Sequence, residues 1–358
     1  MTTITDSHHR TASRWPDRLA PLAAGWLGLW GLLALVATVT GAGYPFGPDD
    51  PDTGTSLLRL VPADVGPPLF AVLLLGAAVA ALAMAGPTAR ASRPLRTLLA
   101  GYAWAVAALL AVVVPDAQVL IILGYAPMLI LGAPFGWPPV DYADIFTWPL
   151  AVRFAAVVGG LLLAGAVLAW QRRTAGACVG CGRGGAGRDW TTPAAAARWG
   201  RWAAGIAAAI PFAYALTRFA WAAGIPLGIS REFLTEMQGN GMVWAGFGLG
   251  AFATVGAVLT LGLVQRWGER FPGWVPVLGG RPVPVKLAVV PATLVAVAVT
   301  AATLGLVANP DFWALTGDEF SLASAPMLLW PAWGPALGAA AYAYHLRRRS
   351  GCPRCGQG

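Results

Sequence analysis

The sequence predicts an all-α polytopic membrane protein: eight transmembrane helices plus one re-entrant or interfacial segment, arranged as two parallel four-helix repeats. Three observations carry that expectation. Of the 358 residues, 57% are hydrophobic and 11% charged, and the mean hydropathy is +0.63, whereas a soluble domain carries about 25% charged residues. The apolar residues fall in runs close to the roughly 20 that a bilayer core requires. Basic residues gather in alternate connections between those runs. This composition excludes a disordered chain and a coiled coil, and it leaves a soluble enzyme too many apolar side chains to hide.

The first run, 19–43, follows a polar cytoplasmic head, 1–18, that holds Arg10, Arg14 and Arg18. A cleaved signal peptide has an apolar stretch of about 7–15 residues. This run is longer and contains Trp26 and Trp30, so it reads as a retained helix. Runs at 67–86, 97–114 and 147–170 complete a first half, 19–173. A linker, 174–198, leads to a second half, 199–349, with runs at 202–222, 242–264, 285–307 and 326–346, then a short tail, 350–358. The stretch 118–135 is also apolar, but Gly124, Pro127, Gly132 and Pro134 interrupt a regular helix there.

Charge decides how that stretch is read. With the N-terminus inside and eight crossings, the cytoplasmic segments hold the head arginines, Arg90, Arg93 and Arg96, the arginines from Arg172 to Arg201, Arg266, Arg270, Arg281, Lys286, and the Arg347 to Arg354 group. Loops of the opposite face keep only Arg59 and Arg231. Such asymmetry sets orientation, and it accounts for the net charge of +8 without a nucleic-acid partner. A full crossing by 118–135 would invert every later loop and destroy the bias. The stretch therefore reads as re-entrant or interfacial, buried against protein. Both termini are then cytoplasmic, in a cell membrane, and the bilayer is the first partner.

The two halves share punctuation. Gly43-Tyr-Pro-Phe-Gly47 resembles Gly224-Ile-Pro-Leu-Gly228, Val114-Pro-Asp116 resembles Asn309-Pro-Asp311, and Trp148-Pro149 resembles Trp330-Pro331. Arg172-Arg173 before Cys178-Val-Gly-Cys181-Gly182 matches Arg347-Arg348-Arg349 before Cys352-Pro-Arg-Cys355-Gly356. Ala126-Pro-Met-Leu129 also matches Ala325-Pro-Met-Leu328, an alignment that competes with the Trp-Pro one. Four helices per half is an even number, so the repeats point the same way.

Chemistry concentrates in the four cysteines. A C-x-x-C followed by Gly has the form of a zinc knuckle: two thiolates from one tight turn reach a tetrahedral ion, and the Gly lets backbone N–H groups approach the sulfurs. A structural zinc ion takes four ligands, and Cys178, Cys181, Cys352 and Cys355 supply four. Arg183, Arg188 and Arg354 would offset the negative charge of such a centre. The competing readings are a redox dithiol, which a reducing cytosol and the lack of a βαβ pattern disfavour, and inert cysteines. His345 reads as an interfacial residue at a helix end rather than a fifth candidate ligand.

Ionisable residues inside spans are functional candidates. Arg153 lies about two turns into its run and Arg218 about one turn from the end of its own. Either they snorkel to the interface, or they pair with Asp116, Asp141 or Asp144 or line an anion-accessible cavity. Arg153, Arg218 and Asp116 thus form the candidate intramembrane polar site. The acidic stretch Asp49-Asp50-Pro51-Asp52 reads as a solvated loop. Trp15, Trp137, Trp148, Trp199, Trp267 and Trp274 near span ends read as an interfacial belt. Nucleotide-loop, G-x-S-x-G and H-E-x-x-H motifs do not occur.

The Arg cluster followed by C-x-x-C-G, repeated after Trp/Pro-punctuated helices, resembles multi-pass membrane proteins of high-GC actinobacteria that have no assigned activity. The resemblance implies the layout and adds nothing on mechanism. The expected function is that of a non-enzymatic membrane module whose cytosolic zinc clip ties the halves together or docks a cytosolic protein. A transporter or permease with a site between the halves, and a membrane thiol-disulfide oxidoreductase, are the alternatives.

Overall fold

The structure is a computed structural model, and it describes residues 15–47, 50, 56–86, 92–136, 140–184, 189–309, 312–313, 321–349, 352 and 354–355. The head arginines Arg10 and Arg14, the acids Asp49, Asp52 and Asp311, and Trp137, Arg188 and Gly356 lie outside those residues.

Among the described residues, ten helices of nine residues or more order the chain: α1 (Trp15–Thr40), α2 (Gly66–Ala85), α3 (Arg93–Ala108), α4 (Ala117–Gly132), α5 (Trp148–Thr174), α6 (Pro193–Ala222), α7 (Arg231–Gly239), α8 (Met242–Gly262), α9 (Val285–Val307) and α10 (Trp330–Arg347). Strands are absent among the described residues. Among the described residues, seven helices are long and apolar enough to cross a membrane: α1, α2, α3 with its extension, α5, α6, α8 and α9. That is the mark of a multi-pass membrane protein, and their outer faces meet lipid. Large apolar side chains such as Val72, Ile130, Leu131, Trp202 and Leu259 accordingly point away from the bundle.

Local signals set the helix ends. Thr147 and Thr192 each accept a backbone N–H from the third residue on, and each is followed within two residues by Pro149 or Pro193. These are N-caps with a proline in the first turn, where its missing N–H costs nothing. Asp116 caps α4 by accepting the Gln118 N–H at 2.9 Å. Before it, α3 widens into a π turn over Leu109–Val113, the kind of irregularity that often sits beside function. The stretch 118–135 is helical, as α4 and a 3-10 turn at Ala133–Phe135, with a bend of 43° where Pro127 separates its two parts.

Two sets of helices pack internally. In the first, α1 lies against α2 and α5, and α5 also holds α3. In the second, α6 lies against α8 and α10, and α10 also holds α9. Both interiors are built from small residues, such as Ala77, Ala81, Ala166, Ala204, Ala207 and Ala340, because close backbone approach is how helices gain contact in a membrane. α4 and the π turn pack on α9, joining the two sets. At the other end, the segment after α5 meets the segment after α10.

Candidate metal centre

The cysteines converge. One sulfur from each of Cys178, Cys181, Cys352 and Cys355 lies within 4.8 Å of all the others. Cys178 Sγ is 3.8 Å from Cys352 Sγ, and Cys181 Sγ is 3.6 Å from Cys355 Sγ. A tetrahedral ion with metal–sulfur bonds of about 2.3 Å needs sulfur–sulfur edges of about 3.8 Å. These two edges fit, and no other edge exceeds 4.8 Å. All four thiols are free. His345 stays outside the cluster and stacks on Tyr342.

Each knuckle is shaped by its backbone. The Cys178 carbonyl accepts the Gly182 N–H at 2.7 Å and the Cys178 N–H donates to the Arg183 carbonyl at 2.7 Å, closing a tight turn. Gly182 takes φ of 75°, a left-handed conformation that a side chain would strain. The Cys181 and Gly180 N–H groups donate to Cys178, and together they hold its thiol down to about 6 against the opposing effect of burial. The Arg354 and Cys355 N–H groups do the same for Cys352, which is also lowered. Burial pushes Cys181 up to about 11. Thiols lowered by backbone N–H groups share the cage with one raised by burial, and a bound cation would displace the protons that remain.

Arginines wrap the cage. Arg172 donates to the Val179 carbonyl at 3.0 Å, Arg349 to the Cys181 carbonyl at 3.3 Å, and Arg183 to the Arg349 carbonyl at 3.2 Å. Arg354 pairs with Asp17 at the start of α1 at 3.0 Å. Each of these contacts except the first joins segments far apart in the chain. The cage therefore sits where the ends of α1, α5 and α10 meet.

The intramembrane polar candidates separate. Arg153 is wholly buried, donating from Nε to Asp116 at 2.7 Å and from Nη2 to Asp50 at 2.6 Å. Asp116 belongs to the pairing set read from the sequence. Asp50 does not: its place in a run of acids made it look solvated, yet it is 5% exposed. Arg153 itself has no exposed surface. Arg218 lies apart, its guanidinium over the rings of Tyr214 and Trp221 at 4.3 and 4.1 Å. Asp141 caps the single turn Tyr142–Ile145 instead of pairing with an arginine.

Fold and site together define a class: an all-helical, multi-pass membrane protein with a four-cysteine cage able to hold a metal ion. Comparison with protein families, curated proteins and solved structures gives no match to this chain.

Proposed function

We propose that the chain is a non-enzymatic membrane module of two parallel four-helix repeats, clamped at their cytosolic ends by one structural zinc ion. In this reading the eighth crossing is α10, both termini face the cytoplasm of the cell membrane, and the bent stretch 118–135 does not cross. The single observation that carries the clamp is the convergence of the four sulfurs from two distant segments. Thiolate-rich, four-coordinate, tetrahedral sites favour zinc over the hard cations.

The repeat is supported by a constant spacing of 174 residues, the separation of both close cysteine pairs. At that spacing Arg173 corresponds to Arg347. Arg173 donates to the Met84 carbonyl at the end of α2, and Arg347 to the Leu263 carbonyl just past α8, both at 2.6 Å. Gly160 and Gly334 correspond too. A Cβ on Gly160 would stand 2.8 Å from backbone atoms of Ala107 and Ala111 on the α3 side, and one on Gly334 would meet Thr300 and Ala296 of α9. The buried Trp170 and Tyr344 form another such pair. These three pairs support a reading in which the fourth helix of each half packs through the same face.

The clamp is tested by metal analysis of the purified full-length protein. One zinc per chain is expected, lost in Cys355→Ser, with His345→Ala unaffected. A zinc-free wild type that retains its fold would refute the clamp. Cross-linking of each knuckle into its own disulfide in a freshly lysed, unreduced sample would put the thiol oxidoreductase ahead.

A further inference from the structure

At the opposite end of the first half from the cysteine cage, three charged groups are sealed together. Arg153 is 0% exposed, Asp116 2% and Asp50 5%. One guanidinium serves two carboxyls, each through a short hydrogen bond. With both acids ionised the cluster carries a net negative charge away from water. A buried charge without a full counter-charge is expensive, and two carboxyls sharing one site cannot both ionise freely. The cheapest remedy is one proton.

We propose that the Arg153–Asp50–Asp116 cluster is a proton-binding site that holds one proton shared between its two carboxyls at neutral pH. Loading forms one O–H bond on a carboxyl oxygen, with the proton drawn from water, and takes the cluster from net negative to neutral. Unloading returns the proton to water and leaves two carboxylates on one arginine. The proton belongs to the pair rather than to either acid. Arg153 Nη1 is buried without a hydrogen-bond partner among the described residues, so the guanidinium keeps a donor for the water that brings or removes the proton. Burial raises the Asp116 carboxyl above its ordinary value, outweighing the pull of Arg153 and the Gln118 N–H.

The charged groups acting on Asp116 are Arg153 from α5 and Asp50 from the connection after α1. α2 and α4 carry no acidic or basic side chain, and those of α1, α3 and α9 (Asp17 and Arg18, Arg93 and Arg96, Lys286) lie at the other ends of their helices. Asp64, near the start of α2, is exposed. Tyr44 and Arg59 face the nearby connection and donate to the carbonyls of Val61 and Ala308. Asp116 is also the N-cap of α4, and α4 packs on α9 of the other half. The proton therefore sits at the joint between the bent segment and the rest of the bundle. The site has no counterpart in the second half, where the position 174 residues on from Arg153 is Met327. It does not depend on the zinc clamp.

The test is infrared spectroscopy of the full-length protein in lipid nanodiscs, titrated across pH. Wild type is expected to show the carbonyl stretch of a protonated, buried carboxyl at neutral pH. Asp116→Asn and Asp50→Asn should each remove that band, because the remaining acid then ionises against Arg153 in a neutral cluster. Thermal unfolding gives a second readout. A carboxyl protonated in the fold and ionised when unfolded makes stability fall as pH rises, so wild type should lose stability above the ordinary carboxylate range more steeply than Asp116→Asn. Asp116→Asn should be at least as stable as wild type at the alkaline end. Absence of the protonated-carboxyl band in wild type, or equal pH slopes with Asp116→Asn strongly destabilised throughout, would overturn the proposal and leave a static ion pair.

Discussion

Cys178 and Cys352 do the same work at the ends of two helices: each sulfur accepts the N–H groups two and three residues on. That is a local property of C-x-x-C turns, which is why the ligands were legible in the sequence. Arg153 was legible only in part. A charged residue inside an apolar run is conspicuous, and one of its partners, Asp116, was among the acids considered. Asp50 gave no such signal, because burial of a loop acid depends on which helix passes beside it. The paired geometry sets a residue-scale expectation. Arg153→Met leaves buried carboxyls without their cation and should cost about 3–5 kcal/mol of unfolding stability. Arg153→Lys keeps the charge but loses the planar fork that serves two acids, and should cost roughly 1–3 kcal/mol. Thermal unfolding in detergent measures both. A neutral Arg153→Lys would mean that the arginine does not hold its two acids as a fork.

Helices were the most legible level, since a run of about 20 apolar residues has few alternatives to a spanning helix. The seven candidate spans coincide with expected runs to within four residues at their ends, except that α6 begins at Pro193, nine residues before the run expected from 202. Two elements were harder. Pro127 announced an interruption but not its form, which is a bend of 43° between two helical pieces. α10 is only 18 residues long, with Pro335 inside it, and falls outside the seven. The internal match was legible best at the Arg and Cys anchors. The Trp148-Pro149 and Trp330-Pro331 pair follows a different spacing from the Gly160 and Gly334 pair of the proposed repeat. Helix–helix distance is set by those glycines. Gly160→Ala places a methyl against α3-side backbone and Gly334→Ala against α9 backbone, so each should lose about 1–3 kcal/mol. Gly124→Ala, where a Cβ has open space, should be neutral or gain about 0.4–1 kcal/mol. Unfolding midpoints of the three variants give the comparison, and a Gly160→Ala as stable as Gly124→Ala would contradict the close packing.

For the whole molecule, composition and charge asymmetry carried the class, while the contacts that join distant segments were out of reach. Nothing in the local pattern places α4 on α9, sets Arg59 against the Ala308 carbonyl, or brings Arg354 to Asp17. Those depend on the packing of two helix sets against each other. The molecule is joined at two levels, by apolar packing of α4 and the π turn on α9 and by the cysteine cage at the other end. The clamp is the central claim, because it assigns a physical task to the C-x-x-C-G motif that follows both Arg clusters. X-ray absorption at the zinc edge of the purified full-length protein tests it most directly. Four sulfur neighbours at about 2.3 Å around a single zinc per chain is the expected result. No zinc, or a zinc with two sulfurs and the rest nitrogen or oxygen, would contradict a centre shared by the two knuckles.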